Sequence, residues 1–375
     1  MDRFSFCPNS LCQHHLQAPT LLWYSPFGYY STKTFGLVPR FRCHSCRKTF
    51  SSQTFSIDYF AKKNIDYQDL LVRQSNSESV RGIGRALSVS CGTVINRTER
   101  LSRQALALHA ALRPQSPPGE SVCIDGFVSF DVSQFFPNEI TLSITASSRF
   151  ILDLSHATHR RSGTMTRAQQ TRSAELYAKV WFERGAVART FREVLGSALM
   201  ERPSTRTRPF VLITDEKKEY EQVLHASKAW REQDEDHRVA HVRVHSKLPR
   251  TFSNPLFASN YLDREIRKDQ AGHHRETTCF NRNVSNAMSR FACYLVQHNY
   301  RKRFLIKAPV NDERVHGEVA GIDRALIESS LESMFTRRVF LSRIRLPPTL
   351  ERIWLKHYTT PLKTKHEYLP AFALG

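Results

Sequence analysis

Between residues 120 and 300 the chain alternates short apolar runs with longer amphipathic ones. Val122 to Phe130 is apolar apart from Asp125, Gly126 and Ser129, and reads as a strand. Glu139 to Thr145 alternates polar and apolar positions, and Arg149 to Leu154 gives a third run of the same kind. From about 174 to 200, Leu176, Val180, Val187, Phe191 and Leu195 recur near helical spacing. Phe210 to Ile213 is a fourth apolar run, ending at Thr214-Asp215. A short helix with Tyr220, Val223 and Leu224 follows, then a fifth strand from Val239 to Val244, and helices over 258–300. Three strands in succession predict an antiparallel meander. Strands separated by helices predict crossovers, hence a mixed α/β sheet with helices on its faces.

Upstream, residues 58–112 lack strand alternation and read as helices. Ser79 to Arg97 has helix-turn-helix form. Val80, Ile83 and Leu87 line a first helix, Ser88-Val89-Ser90 turn, and Ser90 caps a second helix that buries Val94 and Leu101. Thr93, Asn96, Arg97 and Arg100 are expected to face outward, toward a DNA groove and its phosphates. An ordinary helical hairpin is the alternative. Pro114, Pro117, Pro118 and Gly119 mark a linker over 113–120.

The first 54 residues hold Cys7-Pro-Asn-Ser-Leu-Cys12 and Cys43-His-Ser-Cys46, two close pairs around an aromatic and β-branched segment that includes Leu21-Leu22-Trp23-Tyr24. Two thiolate pairs close a tetrahedral site, so the expectation is a structural zinc ribbon. Four buried thiols, or His14, His15 or His44 replacing one cysteine, are the alternatives. Arg47 and Lys48 end the segment with charge suited to phosphates.

Charge widens this picture. Fifty-five Lys and Arg against 35 Asp and Glu give +20, spread along all 375 residues, which points to a polyanion such as nucleic acid. No apolar run reaches the roughly 18 residues of a membrane helix, and no signal peptide is apparent, so a cytosolic protein with reduced or metal-bound cysteines is expected.

Against that charge, Asp125 inside an apolar strand is costly unless paired or metal-bound. Asp215 ends the fourth strand. Carboxylates meeting there would suit two divalent metals about 3.5–4 Å apart in phosphodiester chemistry; strand-end caps are the alternative for each. A third acid is sought in Asn260 to Asp269. Tyr261, Leu262 and Ile266 define a buried arc that includes Glu265 and leaves Asp263 outside it, about 200° away. Glu265 is therefore preferred, with Asp263 as alternate and Asp269 and Glu276 further off.

Taken together, these residues resemble bacterial insertion-sequence transposases of the DDE type. The resemblance rests on Cys7/Cys12/Cys43/Cys46 with Arg47-Lys48-Thr49-Phe50-Ser51, on Ile124-Asp125-Gly126-Phe127, on Ile213-Thr214-Asp215 with Tyr220, and on Asn260 to Asp269. Arg275-Glu276-Thr277, Phe280 to Asn283 and His298-Asn299-Tyr300 add to it. It covers roughly residues 5–300. It implies a ribonuclease-H-like domain over 121–300, interrupted by a helical insertion at about 155–208. It implies Mg²⁺ or Mn²⁺ on Asp125, Asp215 and Glu265, water cutting a transposon end, and the freed 3′-hydroxyl joining target DNA. It further implies recognition of double-stranded ends by ribbon and helix-turn-helix, a homodimer or larger synaptic assembly, and a place at the bacterial nucleoid. A regulator without catalysis and a nuclease of the same fold are the rival readings. Residues 301–375 are basic and suggest no chemistry.

Overall fold

The computed structural model describes residues 4–17, 19, 22–274, 279–305, 307, 312–364 and 367–374. Leu21, and Arg275, Glu276 and Thr277, lie outside them. The N-terminal segment has a short helix α1 (Gln13–Leu16) and the antiparallel strands β1 (Tyr24–Thr32), β2 (Gly36–Cys43) and β3 (Thr49–Ser51). Its small core is aromatic: Trp23 stacks on Phe50 at 5.2 Å and Phe4 on Phe55 at 4.7 Å.

Three helices follow: α2 (Tyr67–Ser75), α3 (Val80–Ala86) and α4 (Cys91–Leu112). The Ser79 and Ser90 hydroxyls cap α3 and α4 by accepting from Gly82 N and Thr93 N. Gly84 lets α3 approach the turn closely, since a Cβ there would meet Val89 O at 2.9 Å. Ile83, Val94 and Leu101 are buried, as the helical spacing requires.

Strands β4 (Val122–Phe130), β5 (Pro137–Thr145) and β6 (Ile151–Thr158) form the antiparallel meander. Helices α5 (Arg167–Tyr177) and α6 (Ala186–Glu201) lead to β7 (Val211–Asp215), then α7 (Lys218–Ala226), α8 (Lys228–Arg231) and β8 (Ala240–Val244). The sheet order is β6-β5-β4-β7-β8, with β7 parallel to β4 and β8 parallel to β7. β5 is buried at all nine positions, which explains why its alternation separates two packed faces and not core from solvent. One face carries α6, where Thr141 Oγ1 donates to Thr190 Oγ1 at 2.7 Å. The other carries α9 (Phe257–Asp269), where Arg267 lies over the Phe127 ring. α6 is thus a packed crossover with Phe191 and Val194 fully buried, whereas α5 buries only Ser173.

Helix α10 (Val284–Tyr300) packs on α4, and α11 (His316–Val319), α12 (Arg324–Thr336), α13 (Pro348–Trp354) and α14 (Ala371–Leu374) complete the chain. The C-terminal portion is built into the centre. Trp354 is fully buried, its carbonyl accepts from Arg103 Nε, and Thr349 Oγ1 donates to the buried Asp153. One continuous core runs from Ile57 to Trp354. The N-terminal segment docks on it through Phe6–Phe340 and a 2.8 Å contact of His15 Nε2 with Ser342 Oγ. Among the described residues, no helix is long and apolar enough to cross a membrane.

Candidate active site and metal centre

The four N-terminal cysteines converge. Cys7, Cys12, Cys43 and Cys46 place their Sγ atoms within 4.8 Å of one another. Cys7–Cys46 and Cys12–Cys43 are 3.7 and 3.8 Å apart. Sulfurs about 2.3 Å from a tetrahedral centre are separated by about 3.8 Å, so the set is of the size that holds a metal ion. The hairpin brings Cys43 beside Tyr24, and the turn after β2 returns Cys46 to the site. Burial pushes the Cys7 thiol up. At Cys46 burial acts in the same direction, but the Lys48 backbone, Asn9 and the neighbouring thiols outweigh it and bring the group down to about 7. Arg47 and Lys48 stand exposed just beyond.

A second cluster forms where β4 and β7 run side by side. Their register pairs Val122 with Leu212 and Cys123 with Ile213. Two residues further along, Asp125 and Asp215 stand level on adjacent strands, on the face that carries α9. Their hydrogen bonds are local: Asp125 Oδ1 accepts from Gly126 N at 2.7 Å, and Asp215 Oδ1 from Lys217 N at 3.1 Å. Other buried aspartates are partnered differently. Asp131 accepts from Thr158, Asn138 and His156, and Asp153 from Thr349 beside Arg113. Burial, opposed by Lys217 but reinforced by Asp215 and Glu139, pushes the Asp125 carboxyl up to about 6.

Glu139 was not marked by any motif. It lies opposite Val128 on β5, beneath Gly126, on the α6 face. A Cβ on Gly126 would overlap its carboxylate, so the glycine makes room for it. Glu139 accepts from Tyr220 OH at 3.2 Å and from Lys217 Nζ at 3.4 Å. Burial disfavours the Lys217 ammonium, yet Glu139, Asp125 and Asp215 together hold it above its usual range. Two aspartates on one face are thus backed by a glutamate–lysine–tyrosine unit on the other. The one available sequence signal was Gly126 directly after an acid in an apolar strand.

The last helix resolves its two acids differently from the preference for Glu265. Ser259 sits beside the Cys123 thiol, and Arg267 donates to Val128 O at 3.1 Å, so α9 runs along β4. Asp263 is one turn from each, on that same stripe and level with Asp125. Glu265 lies about 200° round the helix. It is buried, but in an ion pair with Lys302, which also holds Asp269 at 2.6 Å. The buried arc was read correctly and the partner was not. α9 is covered by the sheet and by the end of α10, and Glu265 faces the latter.

The outward face assigned to α4 also needs correction. Arg97 and Arg100 are buried. Arg97 donates to Lys63 O, and Arg100 to Ile57 O and Tyr59 O, tying down the segment that precedes α2. Asn96 accepts from both arginines, and Thr93 contacts the Ser90 cap. The exposed cations here are Arg81 and Arg85 of α3, which with Ser90 and Cys91 line a groove of about 520 Å³ at the start of α4.

No protein-family model matches the chain, and no curated protein is significantly similar to it.

Proposed function

We propose that the protein is a DNA-cutting and DNA-joining enzyme of the DDE transposase type, with a ribonuclease-H-like catalytic sheet. The observation that carries this reading is the level juxtaposition of Asp125 and Asp215 on adjacent parallel strands, in a sheet ordered β6-β5-β4-β7-β8. Two carboxylates whose hydrogen bonds, among the described residues, come from local backbone N–H groups form a hard-oxygen set that fits a divalent cation. Asp125, Asp215 and Asp263 would hold Mg²⁺ or Mn²⁺, with Asp263 taking the place first given to Glu265. When bound, the metal supplies positive charge to the attacking and leaving oxygens.

The chain's own groups do the rest. The strand register sets the spacing of the two aspartates. Glu139 and Tyr220 fix Lys217 behind them, so that its ammonium is held by Glu139, Asp125 and Asp215 together. Water attacks the phosphorus at a transposon end, the P–O3′ bond breaks, and a 3′-hydroxyl and a 5′-phosphate result. That hydroxyl attacks a target phosphorus, displacing one 3′-oxygen and forming one new diester. The N-terminal cysteines would carry a structural zinc ion, and Arg47, Lys48, Arg81, Arg85 and Thr93 would meet double-stranded DNA. Two ends cut together call for a homodimer or larger assembly.

A non-catalytic DNA-binding protein is the second reading. It is favoured by Lys217, whose ammonium already gives the acidic cluster a cation. Calorimetric titration of the zinc-loaded protein with Mn²⁺ separates the two. The transposase reading expects binding that is lost in Asp125→Asn and Asp215→Asn and kept in Glu265→Gln. Absence of Mn²⁺ binding in the wild type would favour the second reading.

A further inference from the structure

A cleft of about 810 Å³ opens at the outer edge of the sheet, between the α5–α6 connection and residues 357–364. Its volume lies within the roughly 300–1,000 Å³ of small-molecule sites. Its wall includes Trp181, which is 83% exposed. That exposure is not the result of a loose loop. The next residue, Phe182, stacks on Phe136 at 6.1 Å, packs edge-on against Tyr177 at 5.2 Å, and lies beneath the Arg160 guanidinium. The indole is therefore presented from an anchored backbone.

Two further properties describe what would fill the cleft. Among the described residues, five cations line it, Arg172, Lys179, Arg189, Arg352 and Lys363, against one acid, Glu183. Arg189 and Arg352 are engaged with Glu193, and Arg189 with Glu183 as well, which fixes the floor. Lys179 and Lys363 stand as rim charges on exposed positions, with Arg172 beside them in an exposed pair with Glu175. Tyr358 also lines the cleft; its buried hydroxyl has no hydrogen-bond partner among the described residues. The combination is an open aromatic face beside a rim that attracts a polyanion.

We propose that this cleft binds an unpaired nucleotide segment of a DNA strand, with one base stacked on Trp181 and its flanking phosphates on the rim cations. In a duplex the base faces are stacked on one another, so Trp181 can reach a base only where the strand is single. The position fits the proposed DNA chemistry, on which this inference rests. His156 at the cleft pairs with Ile140, which pairs with Phe127, so the cleft is two strands from β4. That is about 10 Å of backbone separation across the sheet, with β5 buried between the two, so a strand parted at the Asp125–Asp215 pair would reach the cleft by passing round the packed face of β5.

The test is a titration of the full-length protein with three labelled ten-residue probes: oligo-dT, its abasic counterpart and a blunt duplex. Tryptophan emission and anisotropy are read together. The expected result is quenching of exposed tryptophan emission by oligo-dT that is absent in Trp181→Phe. Trp181→Ala should weaken oligo-dT roughly tenfold or more, leave the duplex unchanged, and bring oligo-dT down to the affinity of the abasic probe. Lys179→Ala/Lys363→Ala should weaken both single-stranded probes and flatten their salt dependence. Unchanged oligo-dT binding in Trp181→Ala would overturn the proposal, as would equal binding of oligo-dT and the abasic probe by the wild type. Asp125→Asn should bind all three probes normally. Oligo-dT capture at Trp181 in a protein that cuts no DNA would sustain the cleft and remove the catalytic reading.

Discussion

Asp125 carries a cost in the fold that its surroundings do not offset. Its carboxyl stands near 6 when folded, against 3.8 for the free group, chiefly through burial. A raised acid binds its proton more tightly in the folded state, so stability is full below about pH 4 and declines as pH rises from 4 to 6. The decline is bounded at roughly 3 kcal/mol and is smaller to the extent that the carboxyl meets solvent. Asp125→Asn should therefore raise the urea midpoint at pH 7, with Mg²⁺ withheld and zinc retained, and leave it unchanged at pH 4. A lowered midpoint at pH 7 would show that Asp125 has a structural partner. The two acids of α9 separate in the same way. Removing Glu265 leaves Lys302 with Asp269 and should cost about 1–3 kcal/mol, whereas Asp263→Asn should remove cleavage. These assignments were only partly legible in the sequence. Asp125 and Asp215 stood out because an acid in an apolar run needs a reason. Glu139 did not, because β5 is buried on both faces and its polar positions look like solvent-facing ones. Asp263 and Glu265 were ordered by burial, which does not say which neighbour buries them.

At the scale of elements, spacing carried more. The strands and the capped turn at Ser90 follow from alternation, apolar runs and side-chain oxygens at helix starts, all of them local effects. What spacing missed was the face of α4. A cation on a helix reads as solvated, yet Arg97 and Arg100 lie under the segment from Ile57 to Lys63 and bind its carbonyls. Those contacts come from residues more than thirty positions away, beyond the reach of any local pattern. Arg100→Ala should thus act on stability, by about 2–3 kcal/mol in urea unfolding. Arg81→Ala and Arg85→Ala should leave stability alone and lower the slope of log affinity for duplex DNA against log salt by about one each. An Arg100→Ala protein of normal stability with a reduced slope would restore the outward assignment.

For the whole molecule, the unexpected feature is continuity. A basic C-terminal region with no motif turns out to close the core through Trp354 and to seat the N-terminal segment through Phe340 and Ser342. The composition of residues 301–375 could not show this, because the partners of its apolar residues lie in distant parts of the chain. The cysteine cluster should hold close to one zinc per chain by elemental analysis, lost in Cys43→Ser. With a separate aromatic core, the first 54 residues should then become sensitive to protease while the Ile57–Trp354 core stays intact; full proteolysis of both would show that the docking sustains the core. The central claim concerns chemistry at the Asp125–Asp215 pair, and its most direct test is cleavage. DNA carrying the sequences that flank the gene is incubated with wild-type protein or Asp215→Asn, with and without Mg²⁺. The account predicts Mg²⁺-dependent strand breaks ending in a 3′-hydroxyl with the wild type, and none with Asp215→Asn despite equal DNA binding. Breaks that persist in Asp215→Asn would contradict it.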